Sequence, residues 1–429
     1  MKIINKIYTK IRLLFSLFNC LLRNNKNFDN FSSFEFIDAG VWCIKSNTKK
    51  KFLNNSNTWV QLTSDKIVQL KKPDFYQSEK ILKESFYKSD FNGVKLSSFI
   101  KNKNLIKGAI LCNLRNVRII DNSLLILVNK NLAITEGYGS RDWANFQINK
   151  WPESHNFLKS FVKLNSKFFL TRLKLYKNQK KNKKINFPVI YFSNREDNQV
   201  YHWTFENLPR LMCLDLIPKL KDYPILTREP LSRFQSETLR LLNISNKIII
   251  SEGFDLEISN LIFPSISSPS VLDRESIFWL RNKMLLNFKN KKIKKRRLFI
   301  SRKDTNHRRI INEDVISKKL SLFGFETLTL SQLNVKEQIE AFHSAEIVIM
   351  PHGAGGTHML YAPKDAKLLE IQSPTQINTA IFSITQTIGQ KYGFILGDKA
   401  NISSSINNDY YVNENELIKI LKTMTSKNL

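Results

Sequence analysis

The sequence predicts an α/β protein of two Rossmann-like units, preceded by a β-containing N-terminal region. Three observations lead there. From residue 188 to residue 396, short apolar runs alternate with longer segments of helical spacing, the pattern of parallel strands covered by helices. A lysine-dense stretch at 289–297 interrupts the alternation, which then restarts. One apolar run, 347–350, leads straight into Pro351-His352-Gly353-Ala354-Gly355-Gly356, a turn that only small residues make tightly.

The elements follow in order. Residues 1–30 carry Ile4, Ile7, Tyr8, Ile11, Leu14, Phe18 and Leu21 at helical spacing, with Lys2, Lys6, Lys10, Arg12 and Arg23 between them. The apolar run at 13–22 is about half of the ~20 residues a membrane-spanning helix needs, and it lacks a small-residue cleavage site. A basic helix of this kind suits the face of an anionic membrane, or packs on its own domain. Residues 31–185 read as an α+β region. Short strands are expected at 108–114, 117–120 and 123–127, with a turn at Asp121-Asn122, and a lysine-rich linker at 174–184.

Residues 186–288 form the first expected unit, with strands at 188–193, 224–226, 247–251 and 261–264 and helices at 201–216, 231–242 and 276–288. Residues 289–396 form the second, opening on a basic linker. Its strands are expected at 298–301, 326–328, 347–350, 367–371 and 393–396, and its helices at 312–322, 336–343 and 379–388. Residues 397–429 are a tail with a last helix at 413–424. Two such units joined by a hinge imply a cleft, with ligands at the carboxyl ends of the strands.

Composition narrows the partners. The chain has 429 residues, 42% hydrophobic and 11% aromatic, enough for two or three globular cores. A formal charge of +30 suits a polyanionic partner or a lysine-rich solvated surface. No nucleic-acid motif or aromatic-interleaved basic stripe occurs, so a nucleic-acid partner is not expected. Cys20, Cys43, Cys112 and Cys213 form no Cys-x-x-Cys pair, which argues against a zinc knuckle and fits a reducing cytoplasm.

Three segments hold candidate chemistry. The turn after residue 350 leads to Thr357, which can cap a helix, so outward amides can hold a phosphate or diphosphate. A plain β–α turn would need the same glycines. The dinucleotide fingerprint fails because His358 stands where the third glycine belongs, and no Gly-Lys-Ser/Thr follows. In Tyr201-His202-Trp203-Thr204-Phe205-Glu206, His202 and Glu206 share a helix face. A carboxylate beside an imidazole raises its basicity, although a buried structural histidine gives the same pattern. Arg302 follows a strand, with Arg309 nearby. Both suit phosphate oxygens, or salt bridges with Asp304 and Glu313. His343, His352 and His358 make no metal-binding spacing and no Asp-x-Asp occurs, so no metal is expected.

Taken in order, residues 201–210, 300–313 and 348–370 resemble glycosyltransferase family 61. They match its Tyr-His-Trp segment, its Ser-Arg strand end with an Asn-Glu pair, and its strand into His-Gly-Ala-Gly. The resemblance implies a GT-B architecture, with the acceptor on the first unit and the nucleotide-sugar on the second. It implies inverting transfer, usually without an essential metal, from a nucleotide-sugar co-substrate, here a UDP-sugar. His202 would be the base, oriented by Glu206. Arg302, Arg309, Glu313, His352, Gly353, Ala354, Gly355, Gly356 and Thr357 would hold the donor, and Glu370 its ribose hydroxyls. Gly356 replaces a large apolar residue and His358 an asparagine, changes expected to reshape the sugar pocket.

The expected acceptor is a glycan or lipid-linked glycan, in cell-surface polysaccharide or lipopolysaccharide synthesis. The expected location is the cytoplasm, peripheral on the inner face of the cytoplasmic membrane. The competing readings are a polysaccharide pyruvyltransferase, taking phosphoenolpyruvate, and a non-catalytic membrane-surface protein.

Overall fold

The computed structural model describes residues 35–37, 39–45, 57–91, 94–120, 125–129, 132–134, 182–193, 197–251, 255–265, 272–288, 294–375, 377–400 and 407–425. The expected helix at 1–30, the turn at Asp121-Asn122 and most of the 174–184 stretch lie outside them.

Strands rich in leucine, isoleucine and valine build a fully parallel second sheet, buried on both faces. Its order is Phe325–Leu328, Arg296–Ile300, Ala345–Pro351, Lys367–Gln372, Lys391–Leu396 and Phe75–Tyr76. The chain therefore goes outward from Arg296–Ile300 to one side, then returns to build the other side. That reversal is a topological switch point, where two neighbouring strand ends splay apart and leave a crevice.

The first sheet is mixed. Its parallel part runs Asp255–Pro264, Val189–Tyr191, Ile225–Thr227 and Ile248–Ile250. It has a switch point of its own beside Val189–Tyr191, whose neighbours are Ile225–Thr227 and Asp255–Pro264. The antiparallel Ile110–Ile120 extends it. The strands expected at 108–114 and 117–120 are thus one strand. Asn116 sits in it at φ 50°, a left-handed conformation that asparagine tolerates better than most side chains.

Other boundaries moved for identifiable reasons. The helix expected at 201–216 is four short pieces: Val200–His202, a π-helical Trp203–Asn207, a 3₁₀ turn Leu208–Met212, and Cys213–Leu216. Pro209 has no N–H to continue an α-helical ladder. The linker expected at 289–297 ends early, because Arg296 and Arg297 already belong to a strand. Arg296 holds Glu326 through Nε and Nη2 at 2.5 and 2.7 Å, and Arg297 Nε holds Glu346 at 2.6 Å. Among the described residues no helix is long and apolar enough to cross a membrane.

The N-terminal region is not a separate layer. Thr58–Gln61 and Ile110–Ile120 complete the first sheet, while Phe75–Tyr76 forms an edge of the second. One apolar core runs between the sheets, joining Ile190, Ile225 and Ile262 to Leu298, Val348 and Leu368. Trp203, Phe342, Phe382 and the N-terminal Leu82, Phe86 and Phe99 belong to the same core. The tail helix Glu414–Thr425 buries Leu417, Ile420, Leu421 and Met424 on the outer face of the second sheet, with Phe299, Ile349 and Leu369.

Phe86 is the tie between the N-terminal segment and the second sheet. It is fully buried, stacked on Phe394 at 4.4 Å and edge-on to Phe382 at 5.4 Å. Phe86→Ala is expected to cost about 3–5 kcal/mol, read as a lower midpoint in a single urea transition. A separate early transition of the N-terminal segment would contradict a shared core.

Candidate functional site

The second sheet's switch point brings together two of the expected segments. Arg302 follows Arg296–Ile300, and His352-Gly353 follows the adjacent Ala345–Pro351. Arg302 Nη1 donates to the carbonyl of His352 at 3.0 Å. A Cβ on Gly353 would stand 1.9 Å from that nitrogen, so only glycine lets the guanidinium lie across the turn. Burial lowers the pKa of Arg302, and the neighbouring Arg308 charge lowers it further.

Arg308 is the residue that sequence reasoning missed. It adopts φ 55°, a strained backbone for an arginine, and strain of this kind collects where a structure holds a side chain for use. Its Nε and the Nε of Arg302 are both buried without a partner among the described residues, as is Thr357 Oγ1. Neither guanidinium has a salt bridge among the described residues, so two mutually repelling cations share this corner, with the Asp304 charge acting on Arg302 but forming no ion pair. Such a corner is stable when an anion completes it. The Arg308-Arg309 pair was visible in the sequence, but not which of the two turns inward.

Several expected donor ligands have other work. Arg309 turns outward: its Nε and Nη2 hold Asp409 at 3.0 and 2.8 Å, anchoring the tail. Glu313 is buried and braces the turn, accepting from Ser301 Oγ at 2.5 Å and from the Arg302 amide at 3.3 Å. Thr357 does not cap a helix. It lies inside the 3₁₀ helix Ala354–Leu360, whose cap is Gly353. Ala354 and Gly355 keep the open side of that helix, while the amide of Gly356 is spent on the Gly353 carbonyl at 3.0 Å.

Gly356 and His358, the two departures from the family pattern, both face packed surroundings. Gly356 faces Ile381, whose side chain would lie 2.8 Å from an added Cβ and so fills that space. His358 is buried against Phe342, with Nδ1 3.1 Å from the Gly355 carbonyl. Burial lowers its pKa to about 4, despite the opposing pull of that carbonyl.

Glu370 cannot reach a ribose, because it is fully buried. Its Oε1 faces His352 Nδ1 at 2.7 Å. Its Oε2 accepts from Tyr392 Oη at 2.6 Å and Gln372 Nε2 at 2.9 Å. This second His–Glu pair joins residues 18 positions apart on neighbouring strand ends, and only the sheet's register brings them together.

The first pair is the one the spacing anticipated. His202 Nδ1 lies 2.6 Å from Glu206 Oε1, with the histidine a quarter exposed. Trp203 anchors the segment by donating to Thr238 Oγ1 at 2.8 Å. Arg210, also buried, clamps the first sheet's switch point: Nε donates to the Pro264 carbonyl at 2.7 Å and Nη2 to that of Tyr191 at 2.8 Å. The turn Val200–His202 packs directly against Ala354–Leu360, so the first dyad and the glycine turn are neighbours. Among the described residues no group of three or more His, Cys, Asp or Glu is placed to hold a metal ion.

Residues 200–369 match the family described as Glycosyltransferase 61. That stretch is similar to a family 61 glycosyltransferase domain. The match begins just ahead of His202 and ends at the residue before Glu370, so it takes in the first dyad, both inward arginines and the glycine turn. No curated protein matches the chain.

Two outcomes are expected of this domain. Gly353→Ala should displace the Arg302 guanidinium and abolish anion-induced stabilisation while the circular dichroism spectrum is kept. For His358, the folded pKa near 4 lies below the 6.5 of an unfolded histidine, so the unfolded chain binds the extra proton. Its contribution to stability is complete above pH 6.5 and falls away as pH drops toward 4. His358→Asn should therefore flatten the denaturation midpoint across that window, and an unaltered pH profile would count against a neutral buried ring.

Proposed function

We propose that the protein is an inverting glycosyltransferase, moving a sugar from a nucleotide-sugar, a UDP-sugar first among them, to a hydroxyl of a glycan or lipid-linked glycan. The observation that carries this reading is the pair Arg302 and Arg308, each with a buried unpartnered Nε, beside the glycine turn and next to the His202–Glu206 dyad. The match to family 61 supports a glycosyltransferase, which implies a sugar donor and a glycan acceptor in general.

The chemistry divides between two corners. Attack on the anomeric carbon requires the acceptor hydroxyl to lose its proton. We assign that proton to the His202 imidazole, held at Nδ1 by Glu206. Departure of the nucleoside diphosphate builds charge on its phosphate oxygens. We assign its stabilisation to Arg302, Arg308 and the exposed start of the glycine turn at Ala354 and Gly355, and expect no metal to be needed. A GT-B arrangement suits this division, with the acceptor over the first sheet and the donor over the second. The charge of +30 and the basic, amphipathic pattern of residues 1–30 favour a place on the inner face of the cytoplasmic membrane. A cell-surface polysaccharide or lipopolysaccharide pathway would supply acceptors there.

Thermal unfolding with UDP, GDP and CMP, each with and without EDTA, tests the donor class. A ligand at 100 times its Kd should add about 2.7 kcal/mol of stability, insensitive to EDTA. Loss of one charge-assisted hydrogen bond in Arg302→Ala should weaken nucleotide binding by about 1.5–3 kcal/mol. His202→Ala should keep nucleotide binding and lose transfer. Full activity in that variant removes His202 from the mechanism, and no response to any nucleotide removes the donor assignment.

A further inference from the structure

The second dyad has no role in the scheme above, yet it is the better built of the two. His352 stands at the mouth of the anion corner: its own carbonyl receives Arg302 Nη1, and the glycine turn follows it directly. Its side chain is 12% exposed, so the ring reaches the crevice. Behind it, Glu370 has no exposure at all and takes hydrogen bonds on both oxygens. Tyr392 remains a donor, since burial and then the Glu370 charge raise its phenol well above the usual value. Gln372 is fixed in turn: its Oε1 accepts from the Asn378 amide at 3.1 Å, which leaves Nε2 to donate. Two donors on Oε2 leave no place there for a proton, so the proton of this pair lies between Oε1 and His352 Nδ1.

A buried carboxylate with one imidazole against it needs a positive charge for neutrality. An imidazolium supplies that charge and presents its second N–H to the crevice. The cations facing the same space are Arg302 and Arg308, and the remaining titratable neighbours of this corner are Tyr410, the inward-turned Glu313 and Asp304, whose charge acts on Arg302. Without an anion, an imidazolium here would face two further cations. With a diphosphate present, they and the imidazolium are all satisfied together.

We propose that His352, positioned by Glu370, is a second catalytic residue that donates its Nε2 proton to the departing diphosphate. The inference rests on the glycosyltransferase reading. In the step, the acceptor oxygen forms its bond to the anomeric carbon as the bond from that carbon to the phosphate oxygen breaks. The bonding pair leaves with the phosphate oxygen, which takes the Nε2 proton of His352. The acceptor proton passes to His202. One histidine gains a proton and the other loses one, so the net charge of the protein is unchanged over the step. Glu370, Tyr392 and Gln372 act through His352 as positioning residues.

The scheme requires diphosphate binding to take up a proton at His352. Calorimetric titration of UDP and of inorganic pyrophosphate, in buffers of different ionisation enthalpy between pH 6 and 8, measures that uptake. Wild-type protein and His202→Gln should take up a proton, with affinity changing by up to about tenfold per pH unit. His352→Gln should bind with little uptake and a flat profile. Uptake that persists in His352→Gln, or binding to wild type with no uptake, overturns this inference alone. Failure of both ligands to bind wild type overturns the donor site and this proposal together. Should His352→Gln not fold, ring-labelled wild type answers the same question. Of the chain's 6 histidines, one must become protonated on adding pyrophosphate, and no ring shift refutes the proposal.

Discussion

The contact of Arg302 with the His352 carbonyl, made across Gly353, is what the rest of the site depends on. It bridges the ends of two neighbouring parallel strands at the point where the sheet reverses its winding. A side chain on Gly353 would push the guanidinium away, and the crevice would lose its floor. Glu313 supports the contact from below by fixing the Ser301-Arg302 turn. The tail supports it from the side, where Asp409 holds Arg309 outward and Tyr410 pairs alongside Ile310. The neighbouring Arg308 can then occupy the crevice only at the cost of a left-handed backbone.

The two sheets divide the chemistry by the same geometric rule. Each has a switch point, and each switch point carries a basic side chain that ties strand ends together: Arg210 in the first, Arg302 in the second. Arg210 is buried with each of its three guanidinium nitrogens on a backbone carbonyl, so it serves architecture. Arg302 keeps a buried nitrogen unpartnered, so it has capacity for a ligand. The shared core and the packing of Val200–His202 on Ala354–Leu360 hold the two switch points in register. Arg281, which donates to the Leu360 carbonyl, adds a polar tie between them.

Much of this was legible in the primary sequence. The alternation of apolar runs and helical segments located the second sheet to within a few residues, because parallel strands buried on both faces need continuous apolar runs. The His202–Glu206 pair was readable because four residues along a helical segment is a local distance. Arg302 and the glycine turn were readable because residues at strand ends face crevices. By contrast, Glu313, Glu370 and Arg309 have the right chemistry for a donor site but turn toward other partners. A residue type states what a side chain can bind, not which way it points. Gly356 and His358 mislead for a related reason: their consequences depend on Ile381 and Phe342, which come from other helices.

By itself, the sequence determined the local layers of this protein: the strands, most of the helices, the small-residue turn and the first dyad. Each follows from periodicity or spacing within a few residues. Tertiary structure alone decided what lies between distant segments. It wove the N-terminal strands into both sheets, set Arg308 inward and Arg309 outward, and joined His352 to Glu370 and Tyr392. Those outcomes depend on strand order, register and competition among charges for a few buried partners. Such quantities exist only once the chain has closed on itself.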